Sequence, residues 1–346
     1  MCNSEPSYLT SDSKQMLRER LRDFRNDFGL IEGEIGRLIV GQTGVIRDVI
    51  IAMISGGHVL LEGVPGLGKT LLVKTLAEVV GGKFSRIQFT PDLMPADLTG
   101  TNIMNRAVDG NSYFEFQQGP VFCNLLLADE INRATPKTQA ALLESMQERS
   151  VTVGRTTHGL PDLFFVLATQ NPIEMEGTYP LPEAQLDRFF GKIIFPFPNL
   201  DELVRIIDQT TTATFPKIEA TIPSSRIIEM GQLAREITVA DEVKRFAAEL
   251  IMRTHPGLSH SGSVSKHSAS EKLVDKYVRY GASPRGAQAL MLGAKVLAIL
   301  DERFNVAKED LIAMMPTVLR HRIILTFEGE AENITTDEII ETIIRD

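Results

Sequence analysis

The stretch Gly63-Val64-Pro65-Gly66-Leu67-Gly68-Lys69-Thr70 carries the residue types that can hold a polyphosphate. It fits the pattern G-x-x-x-x-G-K-[ST], in which glycines let the backbone curl so that successive N–H groups point inward. Lys69 then reaches the β- and γ-phosphates, and the Thr70 hydroxyl serves a Mg²⁺ ion. From Leu71 onward the chain reads as a helix whose positive N-terminal end faces the same anion. The apolar run His58 to Leu61 before the loop supplies the strand, so strand, loop and helix stand in the order the motif requires.

A second stretch, Leu125 to Glu130, is a continuous apolar run that ends in two carboxylates, the pattern of a buried parallel strand with acids at its tip. Ligands of open α/β sheets sit at the carboxyl ends of strands, so Asp129 is expected to hold the metal and Glu130 to orient and activate the attacking water. A third stretch, Leu163 to Ala168, is another buried-strand pattern followed by Thr169-Gln170-Asn171-Pro172. Asn171 there can hydrogen-bond the water or the γ-phosphate, while Asn before Pro is also an ordinary turn former.

The elements that must position these groups follow from the rest of the chain. At 346 residues it can bury a full core and make two domains. Its net charge of −9 argues against a broad electrostatic grip on nucleic acid. Cys2 and Cys123 are far apart in the chain, which suggests no disulfide framework and a reducing compartment. The polar N-terminus and the lack of a long apolar run lead us to expect a cytoplasmic protein without a membrane span.

Leu17, Leu21, Phe24, Phe28, Ile31, Ile35 and Leu38 form the seam of an amphipathic helix, interrupted by Gly29, Gly33 and Gly36. It is expected to pack on its own chain rather than in a coiled coil between chains. A second helical pattern runs from Ile46 to Ile54. Phe84 to Phe89 reads as a strand, and Asn102 to Arg106 and Tyr113 to Gln117 flank the hairpin-turn signal Asp109-Gly110-Asn111. A helix over Thr135 to Gln147 and a second hairpin over Val151 to Asp162 follow, with a last strand at Ile193 to Phe195. Beyond the rigid break Phe195-Pro196-Phe197-Pro198 only helical patterns are found, as in a separate all-α domain. The Ser/His-rich stretch Gly257 to Ser270 reads as a surface loop, since its histidines lack a regular metal-ligand spacing.

Laid out in this order, the motifs resemble the AAA+ ATPases. Gln88 to Pro95, Leu125 to Arg133, Thr169 to Pro172, Leu186 to Phe189 and Gly281 to Gly286 together look like the MoxR family. The resemblance implies a parallel α/β P-loop core followed by a small α-helical lid, divided here as residues 1–30 (tail and amphipathic helix), 31–196 (core) and 197–346 (lid). It implies an ATP-hydrolysing enzyme that uses ATP and Mg²⁺. Walker A would be Gly63 to Thr70, with Leu71 beside it; Walker B would be Asp129 and Glu130, and sensor 1 Asn171. Arg188 matches the arginine finger given to the neighbouring subunit, and Arg285 matches sensor 2. Val40 and Gly41 match the segment lining the adenine pocket, and the two hairpins match insertions that face the central pore in related rings.

On the residues alone, Arg188 reads as a surface partner for Asp187, and Arg285 as a helix-capping or solvated charge. Arg133 rivals Arg188 for the trans role. The resemblance further implies a homo-hexameric ring that remodels partner proteins or helps insert metal cofactors, with a von Willebrand factor A domain protein as first candidate partner. A nucleotide-gated scaffold and a DNA-directed machine are the alternatives, the second disfavoured by the acidic balance. The stretch Gly257 to Ser270 is longer than the family's usual connection.

Overall fold

The structure is a computed structural model that describes residues 11–106, 112–171, 177–212, 216–258 and 268–346. The turn signal Asp109 to Asn111, Pro172 and most of the Ser/His-rich stretch lie outside the described residues. Five parallel strands make the central sheet: β1 (Val59–Glu62), β2 (Phe84–Gln88), β5 (Leu125–Asp129), β8 (Phe165–Gln170) and β9 (Gly191–Ile194), in the order β2-β5-β8-β1-β9. Two antiparallel hairpins interrupt the succession, β3 (Gly100–Arg106) with β4 (Ser112–Gln118) and β6 (Ser150–Val153) with β7 (Thr156–Gly159).

Helices α1 (Ser11–Leu38), α2 (Thr43–Ile54), α3 (Lys69–Val79), α4 (Pro95–Thr99), α5 (Pro136–Glu148) and α6 (Glu183–Leu186) accompany the sheet. The helices that follow are α7 (Leu200–Thr211), α8 (Ser224–Glu236), α9 (Asp241–Met252), α10 (Ala269–Tyr277), α11 (Pro284–Leu300), α12 (Lys308–Leu319), α13 (Phe327–Ala331) and α14 (Thr336–Arg345), the later ones forming a helical lid. Strands do not stop at Phe195, contrary to the sequence reading. Val278–Tyr280 (β10) pairs antiparallel with Ile324–Leu325 (β11), a pairing too short to leave an alternating pattern.

The inner strands β5, β8 and β1 are buried on both faces, which is why they are apolar at consecutive positions, whereas the edge strands β2 and β9 carry Arg86, Gln88 and Lys192. Leu61, Leu125, Leu127, Phe165 and Leu167 face one way, into a core shared with α1, α2, α3 and the lid helices. Leu60, Leu126, Ala128, Val166 and Ala168 face the other way, against Phe89, Leu142, Leu143, Met146 and Phe189. Successive side chains of one strand thus supply two cores, the period-two consequence of the pleat. Helix α1 packs on its own chain, burying Leu21, Phe24, Phe28, Ile31 and Ile35, and it runs without a break past Gly29, Gly33 and Gly36.

Register decides which side chains meet at the carboxyl end of the sheet. Gln88 pairs with Asp129 across β2 and β5, Ala128 with Ala168 across β5 and β8, and Leu61 with Thr169 across β8 and β1. The tips of β2, β5 and β8 therefore stand side by side next to the loop that leaves β1. Among the described residues no helix is long and apolar enough to cross a membrane.

Candidate active site

The loop leaving β1 takes its shape from glycine. Gly66 and Gly68 stand at φ 85° and 88°, the left-handed region that L side chains rarely adopt, and Gly68 is the N-cap of α3. Gly63 answers a different need: a Cβ there would lie 2.9 Å from the Phe195 Cβ and 3.0 Å from its carbonyl oxygen. The first backbone N–H groups of α3 have no intrahelical acceptor, so the loop and helix end together offer an anion donors and a positive dipole. Lys69 Nζ donates to the Gly63 carbonyl at 2.7 Å. Burial holds its pKa below the usual lysine value, opposed by the charges of Asp129 and Glu130.

Opposite the loop stand the strand tips. The Thr169 hydroxyl donates to Asp129 Oδ1 at 2.6 Å and accepts from the Glu130 N–H at 2.8 Å. That second bond anchors a residue under backbone strain, since Glu130 sits at φ 55°. Each carboxylate also has a second set of partners. Arg86 forks onto Asp129 Oδ2 with Nε at 3.2 Å and Nη2 at 2.7 Å. Glu130 Oε2 accepts from Gln88 Nε2 at 2.6 Å and from Arg133 Nη1 at 2.9 Å.

Between loop and strand tips lies a cavity of about 270 Å³ lined by Pro65, Gly66, Gly68, Lys69, Thr70, Arg86, Gln88, Asp129, Glu130 and Asn171. Asn171 is buried at the end of β8. A second cavity of about 280 Å³ shares Gly66 and Gly68 with the first and is walled by Leu38, Ile39, Val40, Gln42, Leu67, Leu71, Phe197, Pro198, Leu203, Ile206, Gln209 and Thr210. One is built from donors and carboxylates, the other mostly from apolar side chains, and they meet at the loop.

This pair fits a nucleoside triphosphate. In the apolar cavity Gln42 donates through Nε2 to the Pro196 carbonyl at 3.1 Å, while its buried Oε1 has no hydrogen-bond partner among the described residues, an acceptor suited to a base amine. The Thr70 hydroxyl and the Asp129 carboxylate are the hard oxygen donors that Mg²⁺ takes. Among the described residues there is no group of three or more His, Cys, Asp or Glu that could hold a metal ion.

Three of the residues singled out in the sequence stand elsewhere. Gly41 lines a neighbouring cavity of about 380 Å³ with Asp48 and Arg320 instead of the apolar one. It is glycine because its φ is 77° and a Cβ would lie 2.3 Å from the Glu202 side chain. Arg188 is exposed just beyond α6 and donates to the Leu143 carbonyl at 3.3 Å, lining neither cavity. Arg285, in the first turn of α11, lies 3.4 Å from Asp187 and likewise lines neither. Arg133 is paired with Glu130.

Sequence reasoning missed Arg86, Gln88 and Thr169. Arg86 and Gln88 share one face of β2 by the period of two, but only the neighbouring of β2 and β5 makes them partners of the acids. Thr169 was quoted within a motif, yet its hydroxyl has meaning only once β8 lies beside β5.

Comparison with known proteins agrees with this geometry. The model for the ATPase family associated with various cellular activities (AAA) matches residues 58–191, and that for the AAA lid domain matches residues 270–343. The chain is 41% identical to the chaperone MoxR1 of Mycobacterium tuberculosis, covering 90% of this chain and 79% of that protein. It is 34% identical to the protein MoxR of Methylorubrum extorquens, covering 88% and 90%. A crystal structure of a candidate ATPase from Cytophaga hutchinsonii superposes with a TM-score of 0.86 at 41% identity, covering 96% of this chain and 97% of the other.

Proposed function

This chain belongs to the MoxR family of AAA+ ATPases, and from that premise we propose that it hydrolyses ATP in a ring of six identical subunits to remodel partner proteins. The observation that carries the reading is the single cavity that gathers Lys69, Thr70, Asp129, Glu130 and Asn171. The polyphosphate lies on the loop, with Lys69 turning from the Gly63 carbonyl to its β- and γ-oxygens. Base and ribose take the apolar cavity. Thr70 and Asp129 would hold Mg²⁺, which would supply positive charge against the polyphosphate.

Glu130 accepts a hydrogen bond from the attacking water and fixes its line of approach, and Asn171 donates to the water or the γ-phosphate. Gln88 and Arg133 compete with that water for Oε2 of Glu130, and Arg86 competes with the metal for Oδ2 of Asp129. Arg188 completes the nucleotide site of the adjoining subunit, where a guanidinium can raise turnover by about 10³–10⁵. Arg285 leaves Asp187 for the γ-phosphate of its own subunit.

The reading includes a division at residue 196 between core and lid, a cytoplasmic location, and clients that receive a metal cofactor or mature as a complex. A partner with a von Willebrand factor A domain is the first candidate. The name of the M. tuberculosis relative supports a chaperone role. The occupied state of Glu130 supports a second reading, a nucleotide-gated scaffold with slow turnover. A dilution series tests the first. Hydrolysis per subunit should fall steeply once the ring dissociates, and an unchanged specific activity below the assembly threshold rules out the trans role of Arg188.

A further inference from the structure

Three consecutive residues past the end of α12 grip the segment that carries Arg188. Arg320 Nη1 donates to the Lys192 carbonyl at 3.0 Å, and His321 Nε2 to the Phe189 carbonyl at 3.3 Å. Arg322 donates through Nη2 to the carbonyls of Asp187 at 3.1 Å and Phe189 at 2.6 Å, and through Nη1 to Phe190 at 3.0 Å. Its Nε donates to Asp187 Oδ1 at 2.9 Å, and its side chain is only 2% exposed. The Asp187 carboxylate also accepts from the Ser283 hydroxyl at 2.8 and 2.9 Å and from Arg285 at 3.4 Å.

A buried guanidinium is costly unless every donor is met, and its planar fork fixes the acceptors that meet it. Here those acceptors are the carboxylate of the residue before Arg188, the carbonyls on both sides of it and, at the end of α12, the Val318 carbonyl. The Arg188 side chain itself is exposed. Its backbone follows α6, a helix of 4 residues, and is held on two sides: by these lid bonds, and by the sheet, where the Phe190 N–H donates to the His58 carbonyl at 2.7 Å just before β9 begins.

We propose that Arg322, with Asp187 as its counter-ion, is the positioning residue for Arg188, so that the lid of one subunit sets where its arginine enters the site of the next. This rests on the reading of Arg188 as a trans-acting group. Arg285 shares Asp187, so the anchor of the trans arginine also touches the residue proposed to sense the subunit's own nucleotide.

Asp187→Asn keeps the shape of the anchor and removes its charge, and Arg322→Lys keeps the charge and removes the fork. Each should retain ATP affinity within about threefold while kcat falls about 10- to 100-fold, the scale of a group misplaced by about an ångström. Excess Glu130→Gln subunits, inactive themselves but with an intact Arg188, should then restore roughly tenfold activity per variant subunit, as trans complementation requires. Arg188→Ala in the same mixture is the control. Recovery for Arg188→Ala but not for the folded anchor variants overturns the positioning role. No recovery for Arg188→Ala removes the trans premise, and the proposal with it. If one anchor variant does not fold, the other decides; failure of both to fold also overturns the proposal, since the clamp would then hold the domain and not the arginine.

Discussion

At the scale of single residues, the acids at the tip of β5 owe their placement to a neutral neighbour. Thr169 bonds both the Asp129 carboxylate and the Glu130 backbone, and Glu130 holds a left-handed conformation that costs about 1–3 kcal/mol in isolation. Thr169→Val keeps the volume and removes both bonds. Its kcat should fall about 10- to 100-fold, as for a displaced catalytic group, with ATP affinity little changed. Steady-state kinetics beside a nucleotide titration would check this, and an unaltered kcat would mean that the sheet alone holds the acids.

Much of the site could be read from the chain because a phosphate loop and an acid-tipped strand are local patterns. Gly66, Gly68, Lys69, Thr70, Asp129, Glu130 and Asn171 all line the cavity that such patterns foretell. What stayed hidden depends on strand order and on distant pairing. Arg86 faces Asp129 across 43 positions, and Arg322 reaches Asp187 across 135. Gly41 lines the neighbouring cavity, and its positive φ and the closeness of Glu202 account for a glycine there without a ligand.

At the scale of elements, α1 packs its apolar seam on its own chain, as expected of a seam that glycines interrupt, and a Cβ at Gly29, Gly33 or Gly36 would have nothing within 4 Å. Glycine inside a helix costs about 0.5–1 kcal/mol relative to alanine, so Gly33→Ala should stabilise the protein by that amount in urea unfolding. The opposite face should behave oppositely. Phe24 is 0% exposed in the core shared by sheet and lid, so Phe24→Ala should cost about 3–5 kcal/mol. A loss on Gly33→Ala would show that the helix does not hold the glycine face to solvent.

The inner strands and the helices were legible because a buried parallel strand is apolar at every position and an amphipathic helix is not. The β10–β11 pair was not, since β11 is only 2 residues long.

At the scale of the whole molecule, two buried histidines make stability depend on pH. His58 at the start of β1 accepts from the Val166 N–H at 3.1 Å and donates to the Met146 carbonyl at 3.2 Å, and burial lowers its pKa to about 4. Burial, with Arg322 nearby, holds His321 well below the usual range too. The unfolded chain protonates both near pH 6.5, while the folded chain resists, so stability present above that pH is lost as pH falls toward 4. For His58 the loss amounts to about 3 kcal/mol. Urea midpoints at pH 7 and pH 5 should show the decline, and His58→Gln should flatten it; an equal slope in the variant would contradict the assignment.

Every part of the proposed cycle depends on ATP being cleaved in the cavity between the loop and the tip of β5. The most direct measurement is phosphate release by the native protein and by Glu130→Gln, alongside binding of a fluorescent ATP analogue to both. We predict steady release by the native protein, a loss of at least about a hundredfold in Glu130→Gln, and analogue affinities within about threefold of each other, as for removal of a group that acts only in the transition state. Equal release by the two proteins, or none by the native protein at any concentration that forms the ring, would contradict the account.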